Sequence, residues 1–330
     1  MTQQEVIKAF MKSLDETNLA GEAALNEAIR ACSPFKSFKE LKAAMINDCK
    51  KAKSADDFLK TYCGINLDNA DTGAITGSDA GGSTTKTNES IVPESGSLKN
   101  FKKNSFKVNG LTVKLADGKT FSKLTAAEKF IWNGLYTWWV KGALDLIAES
   151  YGDNFSYGIN SSAMVNELYV NFYNEATRNY AKTSSDFDSN GNTSKTTLNI
   201  NMYYWDTLKN NLTRANSLFD RDIAHELTHA VMAANINYFA ALPMFIKEGM
   251  AELTHGIDDE RQNDINYLAS NPSILRNALS LSYGNYYAYA GGYMFMRYFL
   301  KQAADTTFDY DTYQKKVSVD EENFATNTVS

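Results

Sequence analysis

The sequence predicts an α+β fold, with a small helical bundle at the N-terminus and a larger unit in which a sheet packs on helices. Three observations predict it. Apolar residues recur at helical spacing through residues 1–65, apolar and polar residues alternate in three stretches between 105 and 204, and capped helical segments flank those stretches.

In the first block Val6, Ile7, Phe10, Met11 and Leu14 share a helix face. Ala24, Leu25, Ala28 and Ile29 mark a second helix, Phe38, Leu41, Met45 and Cys49 a third, and Phe58, Leu59 and Tyr62 a fourth. Gly21, Ser33-Pro34 and Lys53-Ser54 punctuate them. Residues 66–98 are rich in Gly, Ser, Thr, Asn and Asp and read as a flexible linker or loop, which gives a bundle at 1–65 and a second unit at 99–330.

Phe106 to Leu115 alternates on both sides of Asn109-Gly110, the strongest short hairpin signal. Thr125-Ala-Ala-Glu128 is a capping box that opens a helix to about Ser150, with Phe130, Ile131, Leu135, Trp138, Trp139 and Leu146 inward. Glu167–Tyr173 and Leu198–Tyr204 alternate as sheet strands. Between them Asp186 to Gly191 matches the first half of a calcium loop, but the twelfth position is Thr197, which lacks the bidentate carboxylate, so a polar hairpin turn is expected. After residue 261, Ile265, Leu268, Ile274, Leu275, Leu279 and Leu281 indicate further helices, and a tyrosine-rich stretch runs from Tyr283 to Tyr298. The tail after Asp305 is polar and expected to fray.

The chemistry is concentrated in Asp222 to His229, read D-I-A-H-E-L-T-H. A four-residue step is slightly more than one helical turn, so His225 and His229 project from one face and can share a zinc ion. Glu226 follows the first histidine, where a general base can reach water without being a ligand. Ile223, Leu227, Ala230, Val231 and Ala234 form the opposite, apolar stripe, and Asp220 or Asp222 can cap the start. A third ligand cannot come from cysteine, since Cys32, Cys49 and Cys63 lie far upstream. Beyond Pro243 a second helix carries Glu248 and Glu252 one turn apart, and either carboxylate can serve.

H-E-L-T-H, eighteen intervening residues and then E-G-M-A-E resembles the gluzincin metallopeptidases, whose HExxH motif is followed by a glutamate ligand on a downstream helix. The resemblance implies a zincin-like catalytic domain with His225, His229 and Glu248 holding Zn2+, Glu226 as base, and Glu252 bonded to a ligand imidazole. The chain also resembles, more weakly, a bacterial group that includes the flagellinolysins, through Ile75–Ser83, Leu135–Leu146 and Leu218–Arg261, although it has no flagellin ends. In such peptidases a Tyr hydroxyl or a His commonly donates to the oxyanion, which makes Tyr289 and Tyr293 candidates and His255 their rival. An edge strand above the metal binds extended peptide in them, and Asn199–Tyr203 is the stretch expected to do so.

The function expected is zinc-dependent endopeptidase activity on protein or peptide substrates, and the family resemblance implies a place outside the cell or on its surface. The competing reading is a catalytically inactive zinc-binding surface or interaction protein, against which the retained Glu226 argues. A net charge of −6 without a basic, aromatic-interleaved cluster argues against nucleic acid. No signal peptide is visible, and the apolar run near Trp138 is broken by Lys141, Asp145 and Glu149, so no membrane span is expected. Cys32 and Cys49, at the ends of adjacent helices, could pair, but buried free thiols are expected for the three cysteines, including Cys63, whose Tyr-Cys-Gly setting superficially matches a protease cysteine switch.

Overall fold

The computed structural model describes residues 1–67, 98–152, 166–177, 179–205, 219–258, 260–282 and 284–304. Ile75–Ser83, the rest of the linker from 68 to 97, Tyr283 and the tail after residue 304 lie outside the described residues. The fold is α+β, with a five-stranded mixed sheet and helices before, within and after it.

Helices α1 (Gln3–Glu16), α2 (Gly21–Cys32), α3 (Phe38–Lys51) and α4 (Ala55–Asp57, continued by the π-helical Phe58–Cys63) fill the first block. Thr2 and Glu5 close a capping box on α1, and the Ser37 and Ser54 hydroxyls accept from the Glu40 and Asp57 amides at the starts of α3 and α4. The apolar faces of these helices do not close on one another alone. Phe10 packs 5.4 Å from Phe299, and Phe38 lies 5.2 Å from Phe245 and 5.7 Å from Phe295. Polar ties follow the same contacts: the Tyr298 hydroxyl donates to Asp48 at 2.7 Å, Lys301 to the Lys60 carbonyl at 3.0 Å, and the Cys49 thiol to the Ala269 carbonyl at 3.3 Å. Buried side chains from Val6 to Leu300 therefore belong to one continuous core.

All three cysteines are free and buried, and burial pushes the thiols up, Cys32 to about 12 and Cys49 to about 11. Cys63 ends α4, next to a glycine that packs near Lys301 and Arg297, and does not line the cleft described below.

The sheet order is β1-β2-β3-β5-β4. β1 (Ser105–Val108) and β2 (Leu111–Leu115) form the Asn-Gly hairpin, with Asn109 and Gly110 both at positive φ, as a type I′ turn requires. α5 then runs through Ala126–Gly134, the π-helical Leu135–Trp139 and Val140–Tyr151, opened by the Thr125–Glu128 capping box. It carries the chain across to β3 (Glu167–Tyr173), which lies parallel to β2. Leu111, Val113, Leu168, Val170, Leu198 and Ile200 are fully buried on one sheet face, while the alternate residues Tyr169, Asn171 and Thr197 are half-buried on the other.

β4 (Ala181–Phe187) and β5 (Thr193–Asn201) form a second hairpin. Its turn is polar, as expected: Asp188 accepts from the Asn190 and Asn192 amides, and Gly191 takes positive φ. β5 pairs with β3 on one side and β4 on the other, so it is interior and β4 is the edge. This corrects the expectation that Asn199–Tyr203 offers a free edge: its backbone is already used in the sheet up to Asn201, and Met202–Tyr204 is a 3₁₀ turn.

Helices α6 (Phe219–Asn235), α7 (Met244–His255), α8 (Gln262–Ser270), α9 (Pro272–Ala278) and α10 (Ala288–Ala303) complete the described fold. α7 and α10 cross at backbone contact, because an added Cβ on Gly292 would lie 2.0 Å from the Phe245 carbonyl oxygen and one on Gly249 would lie 2.5 Å from the Gly292 carbonyl carbon. Among the described residues no helix is long and apolar enough to cross a membrane.

Candidate metal centre

α6 buries Ile223, Leu227, Ala230, Val231 and Ala234 on its inner side, and this turns His225 and His229 toward a cleft of about 480 Å³. The Thr228 hydroxyl bonds to the Ala224 carbonyl and to Thr254 of α7 at 3.0 Å, while the Tyr151 hydroxyl donates to the Met250 carbonyl and contacts Thr254 at 2.8 Å. These ties fix α7 against α6, so Glu248 faces both imidazoles across the helix pair.

The result is a triangle of donor atoms. His225 Nε2 lies 3.2 Å and His229 Nε2 3.1 Å from Glu248 Oε2, and the two nitrogens are 3.1 Å apart. Zinc bonds of 2.0–2.1 Å at a tetrahedral centre separate ligands by about 3.3–3.4 Å, so the set has roughly the spacing and the donor types of a His₂Glu zinc site. Burial alone would lower the His225 pKa, but its bond to Glu248 and the fields of Glu252, Glu226 and Glu248 outweigh burial and push it up to about 9. Burial works against ionised Glu248 as well, yet the neighbouring His229 and His225 hold it down at about 2. Without a metal, the pocket therefore favours an ionised Glu248 and a cationic His225.

Glu252, one turn along α7, stands behind this triangle. Its Oε2 is 3.8 Å from His225 Nδ1, beyond hydrogen-bond reach, and 3.1 Å from His255 Nε2; its Oε1 accepts from Arg261 Nε at 2.8 Å. Its expected bond to a ligand imidazole is thus an ionic approach at longer range. Burial opposes ionisation of Glu252, but Arg261, His255 and His225 together hold it well below the usual carboxylate range. Arg221 Nε donates to His255 Nδ1 at 3.4 Å, and since arginine can only donate, the His255 proton sits on Nε2 and points at Glu252. Burial depresses the His255 pKa to about 4, with Arg221 and His225 acting the same way, and this keeps the ring neutral.

The three candidate oxyanion donors are therefore not equivalent. Tyr289 lines the cleft, its ring lies 6.1 Å from His225 and nearly parallel to it, and the Arg261 guanidinium stacks 4.7 Å from its centre. Burial first, then Glu248 and Glu226, push its pKa above the ordinary tyrosine value, so its hydroxyl keeps a proton to donate. His255 also borders the cleft, but both its ring nitrogens are engaged by Glu252 and Arg221. Tyr293 lies one turn deeper on α10, fully buried and away from the cleft, and its hydroxyl accepts from Arg297 at 2.6 Å; this corrects its candidacy as an oxyanion donor.

Glu226 borders the same cleft. Its Oε2 accepts from the Thr183 amide of β4 at 2.6 Å, and its carbonyl accepts from the Thr183 hydroxyl at 2.8 Å. Residues 179–183 form one wall of the cleft, with Arg261, Tyr286 and Tyr289 on another. Thr183, Arg221 and Arg261 were not singled out from sequence. Arg221 is next to the motif, but its partners His255 and Glu260 are joined to it only by the fold. No family model matches the chain, and neither a curated protein nor a solved structure matches it.

Proposed function

We propose that the protein is a zinc-dependent endopeptidase of gluzincin type with a zincin-like catalytic unit, acting on protein or peptide substrates. The observation that carries this reading is the triangle of His225 Nε2, His229 Nε2 and Glu248 Oε2, 3.1–3.2 Å on each side, with a second carboxylate, Glu226, in the same cleft. His225, His229 and Glu248 would hold the ion. Zinc in that position supplies a Lewis acid, which polarises a carbonyl and acidifies water.

The chain's own groups do the rest. Glu226 takes a proton from the attacking water onto its carboxylate and passes it to the departing amine. Tyr289 donates its hydroxyl to the carbonyl oxygen as negative charge builds there. Glu252, held by Arg261 and His255, keeps a negative charge 3.8 Å behind His225 and steadies that imidazole. The outer edge of β4 takes an extended peptide by backbone pairing, which suits hydrolysis within a chain and needs no particular side chain.

The test is Glu226→Gln beside wild type, with zinc content measured and casein or flagellin digested. Glu226→Gln should keep fold and zinc while turnover falls by ~100-fold or more. Near-normal hydrolysis by this variant overturns the mechanism, and stoichiometric zinc without hydrolysis by wild type supports the surface-binding reading instead.

A further inference from the structure

The Thr183–Glu226 contact has a specific geometry. In an antiparallel ladder a residue directs both its N–H and its C=O either to the partner strand or away from it. Tyr180 accepts from the Asn201 amide, so even-numbered residues of this strand face β5 and Ala181, Thr183 and Ser185 face outward. Of these outward groups the Thr183 N–H is already bonded, at 2.6 Å, to Oε2 of Glu226. The Thr183 hydroxyl adds a second bond of 2.8 Å to the carbonyl of the same residue. One residue of the cleft wall thus grips both the side chain and the main chain of the residue between the two histidines.

We propose that Thr183 is a positioning residue that clamps the edge strand to Glu226 and sets the register of bound peptide. The inference deepens the peptidase reading and rests on it for its kinetic consequence. The amide bond occupies Oε2 and leaves Oε1 as the oxygen available to water, while the hydroxyl bond stops β4 from sliding along α6. Among the described residues nothing pairs with the Ala181 N–H and C=O or the Thr183 C=O, so an added peptide strand can use them, but the Thr183 N–H is taken. The peptide bond to be cut is therefore the one lying against Thr183, beside the base.

Two measurements test this. Amide hydrogen exchange of wild type and Glu226→Ala, with and without zinc, reads the clamp directly. The Thr183 amide should be protected in wild type and exchange about 10-fold faster or more in the variant; equal exchange in both overturns the proposal. Kinetics with a quenched peptide then compare Thr183→Val, which removes only the hydroxyl bond and keeps shape, with Thr183→Ser, which restores it. Thr183→Val should lower kcat ~10-fold with KM, zinc affinity and melting temperature unchanged, and Thr183→Ser should recover to within about threefold of wild type. A Thr183→Val enzyme as fast as wild type, or one whose kcat falls only together with zinc binding and melting temperature, overturns the positioning role. Should wild type cleave no peptide at all, the peptidase reading fails, and the exchange experiment still decides for or against the clamp.

Discussion

Gly292→Ala adds one methyl group where α10 crosses α7. The new Cβ would lie 2.0 Å from the Phe245 carbonyl oxygen and 2.9 Å from both the Cα and the nitrogen of Gly249, and all of these are backbone atoms that no rotamer change can move away. Real Cβ contacts essentially never fall under 3.0 Å, so the two helices must separate by about 1 Å. Overpacking of this kind costs about 1–3 kcal/mol and here should fall at the upper end, because the shift is also felt where Phe245 packs on Phe38. α7 carries Glu248, whose donor atom sits 3.1–3.2 Å from two imidazole nitrogens, and displacement by ~1 Å should weaken zinc binding and hydrolysis by about 100-fold. Gly291→Ala is the control. Its nearest contact is the Ala278 methyl at 2.8 Å, so it strains the packing on α9 and not the crossing with α7. Thermal melting followed by competitive zinc titration against a chromophoric chelator separates the two. If Gly292→Ala melts and binds zinc like wild type, the crossing does not set the position of Glu248.

Three further outcomes follow from the same geometry. Glu248→Ala should lose zinc under mild chelation, whereas Glu252→Ala should still bind at saturating metal with affinity or activity down ~10 to 100-fold; a larger loss of affinity in Glu252→Ala than in Glu248→Ala would exchange their roles. A chain beginning at Lys99 uncovers Phe245, Phe295 and Phe299 and should fail to fold, shown by circular dichroism and rapid proteolysis; a folded, zinc-binding fragment would mean that the first block is dispensable. For the metal-free protein, His225 titrates at about 9 against an ordinary 6.5, so its contribution is full below 6.5 and disappears as pH rises through 9. His255, depressed to about 4, costs stability as pH falls below 6.5, and Glu248, held at about 2, loses its contribution below its ordinary 4.5, so urea midpoints of EDTA-treated protein should peak near pH 6.5 and decline on both sides.

The parts of the fold that were legible in the sequence are those whose signal is local. The Asn109-Gly110 turn, the Thr125–Glu128 capping box and the alternation of Glu167–Tyr173 each specify their own backbone, and all three form as expected. β4 was missed for a physical reason: its half-buried face is Ala181, Thr183 and Ser185, so Ala-Lys-Thr-Ser-Ser-Asp-Phe carries no apolar period, although the turn at Asp188 already implied a partner for β5. Helical periodicity showed that the first four helices each have an apolar face, but the period along one helix cannot name what covers it, and on α1 and α3 part of the cover comes from α7 and α10. The candidate centre divides along the same line. Two histidines one turn apart are a local pattern, and so are two glutamates one turn apart. Which glutamate faces the histidines depends on how α7 sits against α6, and this is set by residues outside both motifs, Thr254 through its bond with Thr228 and Gly292 through its contact with Gly249. Placement of Glu226, the candidate base, is equally non-local, since Thr183 reaches it from a strand without sequence signature. Residue types that could do the chemistry can thus be read along the chain, while the atoms that hold them in working geometry come from elements whose own sequences are chemically plain.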